Sequence, residues 1–342
     1  MDISGDFKYV ILEALKGQEG YLSGEDLAKK LGITRQALWK HIAKLQEKGY
    51  EIAAVPHLGY QLISCPDKLY PWEIQHKLST KFMGKDIHHY EIIPSTQDIA
   101  VDLGVKGFPE GTLVVSERQT RGRGRLRRNW VSPYGGVYFS LLLRPDFMPL
   151  EQVSCITLLA GLGCIYGIKR SINISGFLKW PNDIFLNGKK LGGILCEVDA
   201  EADRVNSVVV GIGINVNPVR DNGGYSVGDK ISNGVNTLEK LPPYATSLFR
   251  ETGKRVNRVE LLKKILEEIE RLYFLLEKEG FSLIRQEWQE FCFLRGERVR
   301  VKTLNREIEG EAAGIDEKGH LVLKTGAGRI EKISAGDVEK LG

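Results

Sequence analysis

The stretch Gln119-Thr120-Arg121-Gly122-Arg123-Gly124-Arg125-Leu126-Arg127-Arg128-Asn129-Trp130 decides how this chain is read. Six arginines fall between Arg118 and Arg128, with two glycines among them and no acidic residue after Glu117. Crowding like charge into so short a segment is unfavourable unless an anion neutralises it. Thr112–Val115 before it and Val137–Leu143 after it are apolar runs of strand length. The arginines therefore sit on a loop held between two parts of one sheet. Gly122 and Gly124 let the backbone bend and approach a ligand with no side chain in the way. Guanidinium groups offer a planar fork of donors matched to phosphate or carboxylate. A solvated basic patch or a nucleic-acid tail would have the same composition. Such tails are rarely flanked by core strands, which favours a small-anion loop.

At 342 residues the chain is long enough for two or three domains. With 42% hydrophobic and 27% charged residues it has the make-up of a globular protein, and a net charge of +4 is too small for a wholesale nucleic-acid or membrane protein. Local clusters must carry any such argument. The five cysteines form no CxxC pair and no metal-ligand spacing with histidine, so they read as buried free thiols. The N-terminus carries Asp2 and Asp6 rather than a signal pattern, and the apolar run Cys155–Ile168 is interrupted and short of a membrane span. These features predict a cytoplasmic chain with no membrane partner.

Working outward to the N-terminus, Phe7, Val10, Ile11, Leu12 and Leu15 recur at helical spacing until Gly17 and Gly20 stop them. Ser23 caps a second helix with Leu27 and Leu31 inward, Gly32-Ile33 turns, and Thr34 caps a third helix through Glu47. Leu38, Ile42 and Leu45 face inward there, which leaves Arg35, Gln36, Trp39, Lys40 and Lys44 outward. Helix, short glycine turn and helix is the layout of a helix-turn-helix, whose second helix enters the major groove. Glu51–Val55 and Tyr60–Ile63 alternate around Pro56-His57-Leu58-Gly59 and add a wing. A three-helix protein-interaction module is the alternative. The basic face of the third helix, Thr34 to Lys44, favours DNA, because phosphate contacts supply most of the affinity. Acids and bases balance at eight each over residues 1–65, so binding should rest on one face and on dimerisation.

Beyond a linker at Cys65–Pro71, Trp72–Leu78 predicts a short helix and His88–Ile93 a strand. Ser95 or Thr96 caps the next helix, whose N-terminus also offers N–H groups to an anion. Gln152–Ile172 is a buried helix. Leu178–Leu186 reads as one strand that turns at Asn187-Gly188 and returns as Lys189–Glu197. Gly192-Gly193 inside that strand asks for a close approach to its backbone. Ser207–Ile214 is a further strand, ending in a G-I-G-I-N run. An apolar stripe of Val259, Leu262, Ile265, Leu266, Ile269 and Leu272 predicts a core helix. Strands at Gly296–Val301, Ile308–Ala313, His320–Leu323 and Arg329–Ile333 predict a small SH3-like barrel.

The order Ser95-Thr96, Q-T-x-G-R-G-R-x-x-R-x-W, K-W-P-N-D from Lys179, K-L-G-G-I-L-x-E from Lys190 and G-I-G-I-N-V-N from Gly211 resembles the biotin protein ligases nearly end to end. With the winged domain it is similar to those that are also biotin-operon repressors. The resemblance implies a multidomain α+β fold. Residues 1–65 would be the winged helix-turn-helix, 66–288 a mixed-sheet biotin- and ATP-binding catalytic domain with flanking helices, and 289–342 the SH3-like domain. It implies biotin contacts from Ser95, Thr96, Gln97, Gln119, Arg123, Gly124, Arg125 and Lys190. Adenylate contacts would come from Gly122, Arg125, Arg128, Lys179, Asn182 and Asn215. Lys190, Arg123 and Arg125 would carry the chemistry, with Asp183 holding Mg²⁺ or positioning the ligand. The implied partners are a biotin carboxyl carrier protein (an acetyl-CoA carboxylase subunit) or another biotin-dependent carboxylase, operator DNA, and a second copy joined when ligand binds. The chain departs from the family at Gln97, where asparagine is common, and at Arg127, where a glycine often sits. Residues 218–243 are long for the family, and Val235 is the candidate for the adenine-side wall. A ligand sensor without ligase activity and a lipoate ligase are the competing classes. The adenylation residues oppose the first, and the arginine loop with K-W-P-N-D opposes the second.

Overall fold

Two hydroxyl caps shape the N-terminal body. Ser23 Oγ accepts from Asp26 N at 3.3 Å and Thr34 Oγ1 from Ala37 N at 3.1 Å. In the computed structural model, which describes residues 7–201, 204–218, 241–326 and 328–341, they open α2 (Gly24–Leu31) and α3 (Arg35–Glu47), after α1 (Phe7–Lys16). Gly32, at φ 66°, ends α2 in the left-handed conformation that glycine adopts without strain. Ile11, Leu12, Leu15, Leu27, Leu38, Ile42 and Leu45 are buried together. Arg35, Gln36, Trp39, Lys40 and Lys44 are exposed. β1 (Glu51–Val55) and β2 (Gly59–Ser64) pair antiparallel and complete a winged helix-turn-helix.

The second body starts at Leu69. It contains α4 (Pro71–Gln75), β3 (Ile87–Ile93), α5 (Thr96–Val105), β4 (Leu113–Gln119), β5 (Val137–Leu143), α6 (Ser154–Ile172), β6 (Phe177–Lys179), β7 (Asp183–Leu186), β8 (Lys189–Glu201) and β9 (Arg204–Ile214). The seven strands form one sheet in the order β3-β4-β5-β9-β8-β7-β6, antiparallel except for the parallel β3–β4 pair. β5 is buried at every residue, as its unbroken apolar run requires. On one face α5 packs Ala100 and Leu103 against Val114, Leu142 and Val209. On the other lie α6 and then α7 (Leu248–Thr252), α8 (Arg258–Glu279) and α9 (Ser282–Glu290). The whole predicted stripe from Val259 to Leu272 is buried.

The remaining strands are β10 (Arg298–Lys302), β11 (Glu307–Ile315), β12 (Leu321–Lys324), β13 (Ile330–Ile333) and β14 (Asp337–Lys340), in the order β13-β12-β11-β10-β14. They form the small SH3-like unit.

Several expectations need correction. Leu178–Leu186 is not one strand: β6 and β7 form a hairpin around Trp180-Pro181-Asn182, because proline cannot donate to a ladder. The C-terminal unit has a fifth strand, β14, hidden because three of its four residues are charged. Cys65 is exposed, and only Cys155 and Cys164 are fully buried. The segment Leu150–Ile172 is long and apolar enough to cross a membrane by length and composition, although it is mostly buried inside the fold. Val235 lies outside the described residues, as does most of 218–243.

Candidate active site

A cavity of about 600 Å³ opens where the arginine loop, the β6–β7 turn and the start of β8 converge. Its floor is a hydrogen-bonded polar layer. Ser95 Oγ caps α5 by accepting from Gln97 N at 3.2 Å, and Thr96 N donates to Gln119 Oε1 at 2.8 Å. Ser140 Oγ donates to Gln97 Oε1 at 3.0 Å, while Gln97 Nε2 donates to Val209 O at 3.1 Å. Gln97 is thus buried with its amide already engaged. The glycines of β8 and β9 have a use that spacing alone could not supply. A methyl at Gly213 would stand 2.4 Å from Trp130 Nε1, and one at Gly211 would stand 2.3 Å from Gln97 Oε1. Only glycine lets the indole and the amide lie on the sheet.

The loop folds on itself. Gly124 N donates to Arg128 O at 2.8 Å and Trp130 N to Gly122 O at 2.9 Å. Leu126 and Arg127 at its tip have φ of 54° and 57°, a left-handed turn that explains why glycine suits position 127. Arg123 bridges two carboxylates, Asp98 Oδ1 at 2.6 Å and Glu197 Oε1. Arg128 pairs with Asp337 on β14. Lys190 Nζ lies 2.6 Å from Asp183 Oδ1 and 5.3 Å from the centre of the Trp130 ring, whereas Lys189 is exposed.

Two cations are less well compensated. Arg125, a quarter exposed, reaches Asn182 Oδ1 only at 3.3 Å, Gly336 O at 3.4 Å and Asp337 at 3.9 Å. Burial pulls its pKa below the ordinary arginine value against the charge of Asp337. Lys179 lies over the Phe185 ring at 5.4 Å, and its pKa is lowered by burial and by Lys190, despite Asp183. Positive charge held away from water in this way favours a bound anion.

Of the residues the sequence pointed to for ligand and chemistry, Gly122 and Asn215 do not line the cavity. Gly122 lies behind the loop against Trp130 O, and Asn215 is buried, donating to Thr246 O at 3.0 Å. The others share the one pocket. Sequence reasoning missed Asp98, Glu197 and Asp337 as partners of the arginines. Trp130, which packs on Gly213 and under Lys190, is signalled in the sequence only by its place at the end of the loop.

Residues 90–215 match the biotin/lipoate A/B protein ligase family, 8–61 an HTH domain and 295–341 the biotin protein ligase C-terminal domain. The chain is 41% identical over 320 residues to the bifunctional ligase/repressor BirA of Bacillus subtilis, covering 93% of this chain and 94% of that one. It is 29% identical over 315 residues to BirA of Escherichia coli, covering 92% and 91%. Among solved structures, the biotin protein ligase from Aquifex aeolicus in complex with biotin and ATP superposes with a TM-score of 0.62 at 29% identity, covering 75% of this chain and 100% of that one. Sequence, domain order and fold agree, and the chain belongs to the biotin protein ligase family, in the form that carries an N-terminal helix-turn-helix domain.

Proposed function

We propose that this chain joins biotin to ATP as biotinyl-5'-AMP, passes the biotinyl group to a lysine of a biotin carboxyl carrier protein, and represses biotin genes in the cytoplasm with biotinyl-AMP as corepressor. The observation that carries the reading is one cavity in which Arg125 and Lys179 are partly buried cations, with no carboxylate nearer than 3.9 Å to Arg125 among the described residues. In the first step a carboxylate oxygen of biotin attacks the α-phosphorus, a P–O bond forms and pyrophosphate leaves. Arg125, Lys179 and Lys190 offset the negative charge gathering there, each worth about 3 kcal/mol by analogy with other oxyanion donors. Asp183 and the Trp130 ring hold Lys190 on the cavity side of β8. In the second step the acceptor amine attacks the acyl carbon and AMP departs. The mixed anhydride is already activated, so no nucleophilic side chain is needed.

The chain's own fit to Mg²⁺ is slight, because no group of three or more His, Cys, Asp or Glu suited to a metal occurs among the described residues. One carboxylate, Asp183, suits an ion that arrives on the phosphates of ATP, which is how Mg²⁺ is commonly held. Arg35, Gln36, Trp39, Lys40 and Lys44, with Thr34 at the cap, would face operator DNA. A second copy joined when the intermediate binds would supply the other half-site.

Labelled biotin, ATP, Mg²⁺ and a carrier domain test the enzyme: label should transfer to the carrier with release of pyrophosphate. If no pyrophosphate appears in a biotin-dependent way, the chain is a ligand sensor and not a ligase. Gel shifts test repression separately. Operator binding should require biotin and ATP together, and a shift unaffected by either removes the corepressor.

A further inference from the structure

The arginine loop is tied down on two sides. Toward the C-terminal unit, Arg128 and Arg125 meet Asp337. Toward the floor, Arg123 Nη1 donates to Asp98 Oδ1 at 2.6 Å and Nη2 to Glu197 Oε1. The second tie joins three separate elements: the loop, the first turn of α5 and the middle of β8. Asp98 follows Ser95, Thr96 and Gln97, the residues that make the floor, and its negative charge suits a helix N-terminus. Glu197 lies two residues beyond Leu195, which also lines the cavity. Its Oε2 is buried and accepts no hydrogen bond among the described residues, so its charge depends on Arg123 for compensation. A guanidinium fork with one nitrogen on each of two carboxylates is held in both position and plane. Arg123 is therefore occupied, in contrast to Arg125, whose contacts are long.

We infer that Asp98 and Glu197 are positioning residues: they hold Arg123, and through it the loop, down over the cavity, and so set how long the activated intermediate is retained. The inference rests on the ligase reading above and assigns this cluster a role in that same site. Arg123 then acts by closing the strap, and the phosphate charge falls to Arg125, Lys179 and Lys190.

The test uses the full chain with D98N, E197Q and the double variant, charging each with labelled biotin and ATP, then chasing with excess unlabelled biotin. Loss of either carboxylate should speed release of labelled biotinyl-5'-AMP about fivefold, and the double variant about tenfold or more, as expected for a partly exposed charge-assisted pair. KM for ATP should stay within about twofold, because no phosphate-facing cation has changed. D98E should restore slow release in part. High salt should speed release from the unaltered chain and have little further effect on the double variant. Unchanged release in the double variant overturns the inference. So does tighter biotin binding, which would mean that the carboxylates compete with the ligand for Arg123. So does a matched fall in every kinetic parameter and in melting temperature, which would mark a purely structural tie. Failure of the ligase reading looks different: the unaltered chain would then form no intermediate to chase.

Discussion

At the scale of single residues, neighbouring lysines separate chemistry from solvation. Lys190 is held at the cavity by Asp183 and Trp130, while Lys189 is exposed. Lys190→Met should lower biotin-dependent pyrophosphate release by roughly 100-fold, the usual cost of losing one transition-state charge partner, and Lys189→Met by less than about twofold. Equal losses would mean that the hairpin, rather than the ammonium group, matters. Lys179 adds a pH dependence whose sign can be derived. Burial and Lys190 weaken its hold on a proton, and a phosphate bound beside it would strengthen that hold. Below the depressed pKa the lysine is charged both with and without ligand, so affinity is full. As pH rises from that pKa toward the restored one, binding must take up a proton, and affinity falls. Titrations of the adenylate across alkaline pH should show this decline, and Lys179→Met should flatten it. An unaltered slope in that variant would place the titrating group elsewhere.

At the scale of elements, the C-terminal unit helps to build the β6–β7 turn. Trp180, almost wholly buried, donates from Nε1 to Gly319 O at 2.9 Å, between β11 and β12. Leu178 meets Phe291 and Phe293 through 2.8 Å backbone hydrogen bonds. Trp180→Phe keeps an aromatic ring but removes the Nε1 donor from that carbonyl, which costs about 1–3 kcal/mol before the loss of packing by the smaller ring is added. A lower urea midpoint with an unchanged slope would be the sign, together with a few-fold rise in KM for ATP as Asn182 and Asp183 loosen. A midpoint that does not move would show that the tie is immaterial. The same elements mark what could be read in advance. The helices capped by Ser23 and Thr34, the Asn187-Gly188 turn and strand β5 each carry a local signal, through a cap, a left-handed pair or an unbroken apolar run. β14 carries none, since Asp337-Val338-Glu339-Lys340 alternates too briefly and gains its place only by pairing with β10. The site divides in the same way. Arg123, Arg125 and Lys190 stand out because clustered cations are odd in any sequence. Nothing local ties Asp98, Glu197 or Asp337 to an arginine until the fold brings them to the loop, and Asp337 is 209 positions from Arg128.

At the scale of the whole molecule, charge separates the two proposed activities. The net charge is +4, yet residues 1–65 hold eight acids and eight bases, so the winged body has no general attraction to DNA. Its affinity must come from the face of α3, where Arg35, Lys40 and Lys44 are exposed. Three phosphate contacts per copy give two copies about six, and a slope of log affinity against log salt of roughly −5, against about half that for one copy. Measured by gel shift with biotin and ATP present, the slope should be near the larger value, and Lys44→Ala should reduce it by about two, one contact from each copy. Trp39→Ala should act otherwise. It removes an exposed indole without removing charge, so it should weaken binding to the operator more than to random DNA and leave the slope alone. A steeper slope than six contacts allow would place cations outside α3 on the DNA. A slope near −2.5 with full ligand-dependent binding would mean that one copy suffices, and the two-copy repressor would have to be abandoned.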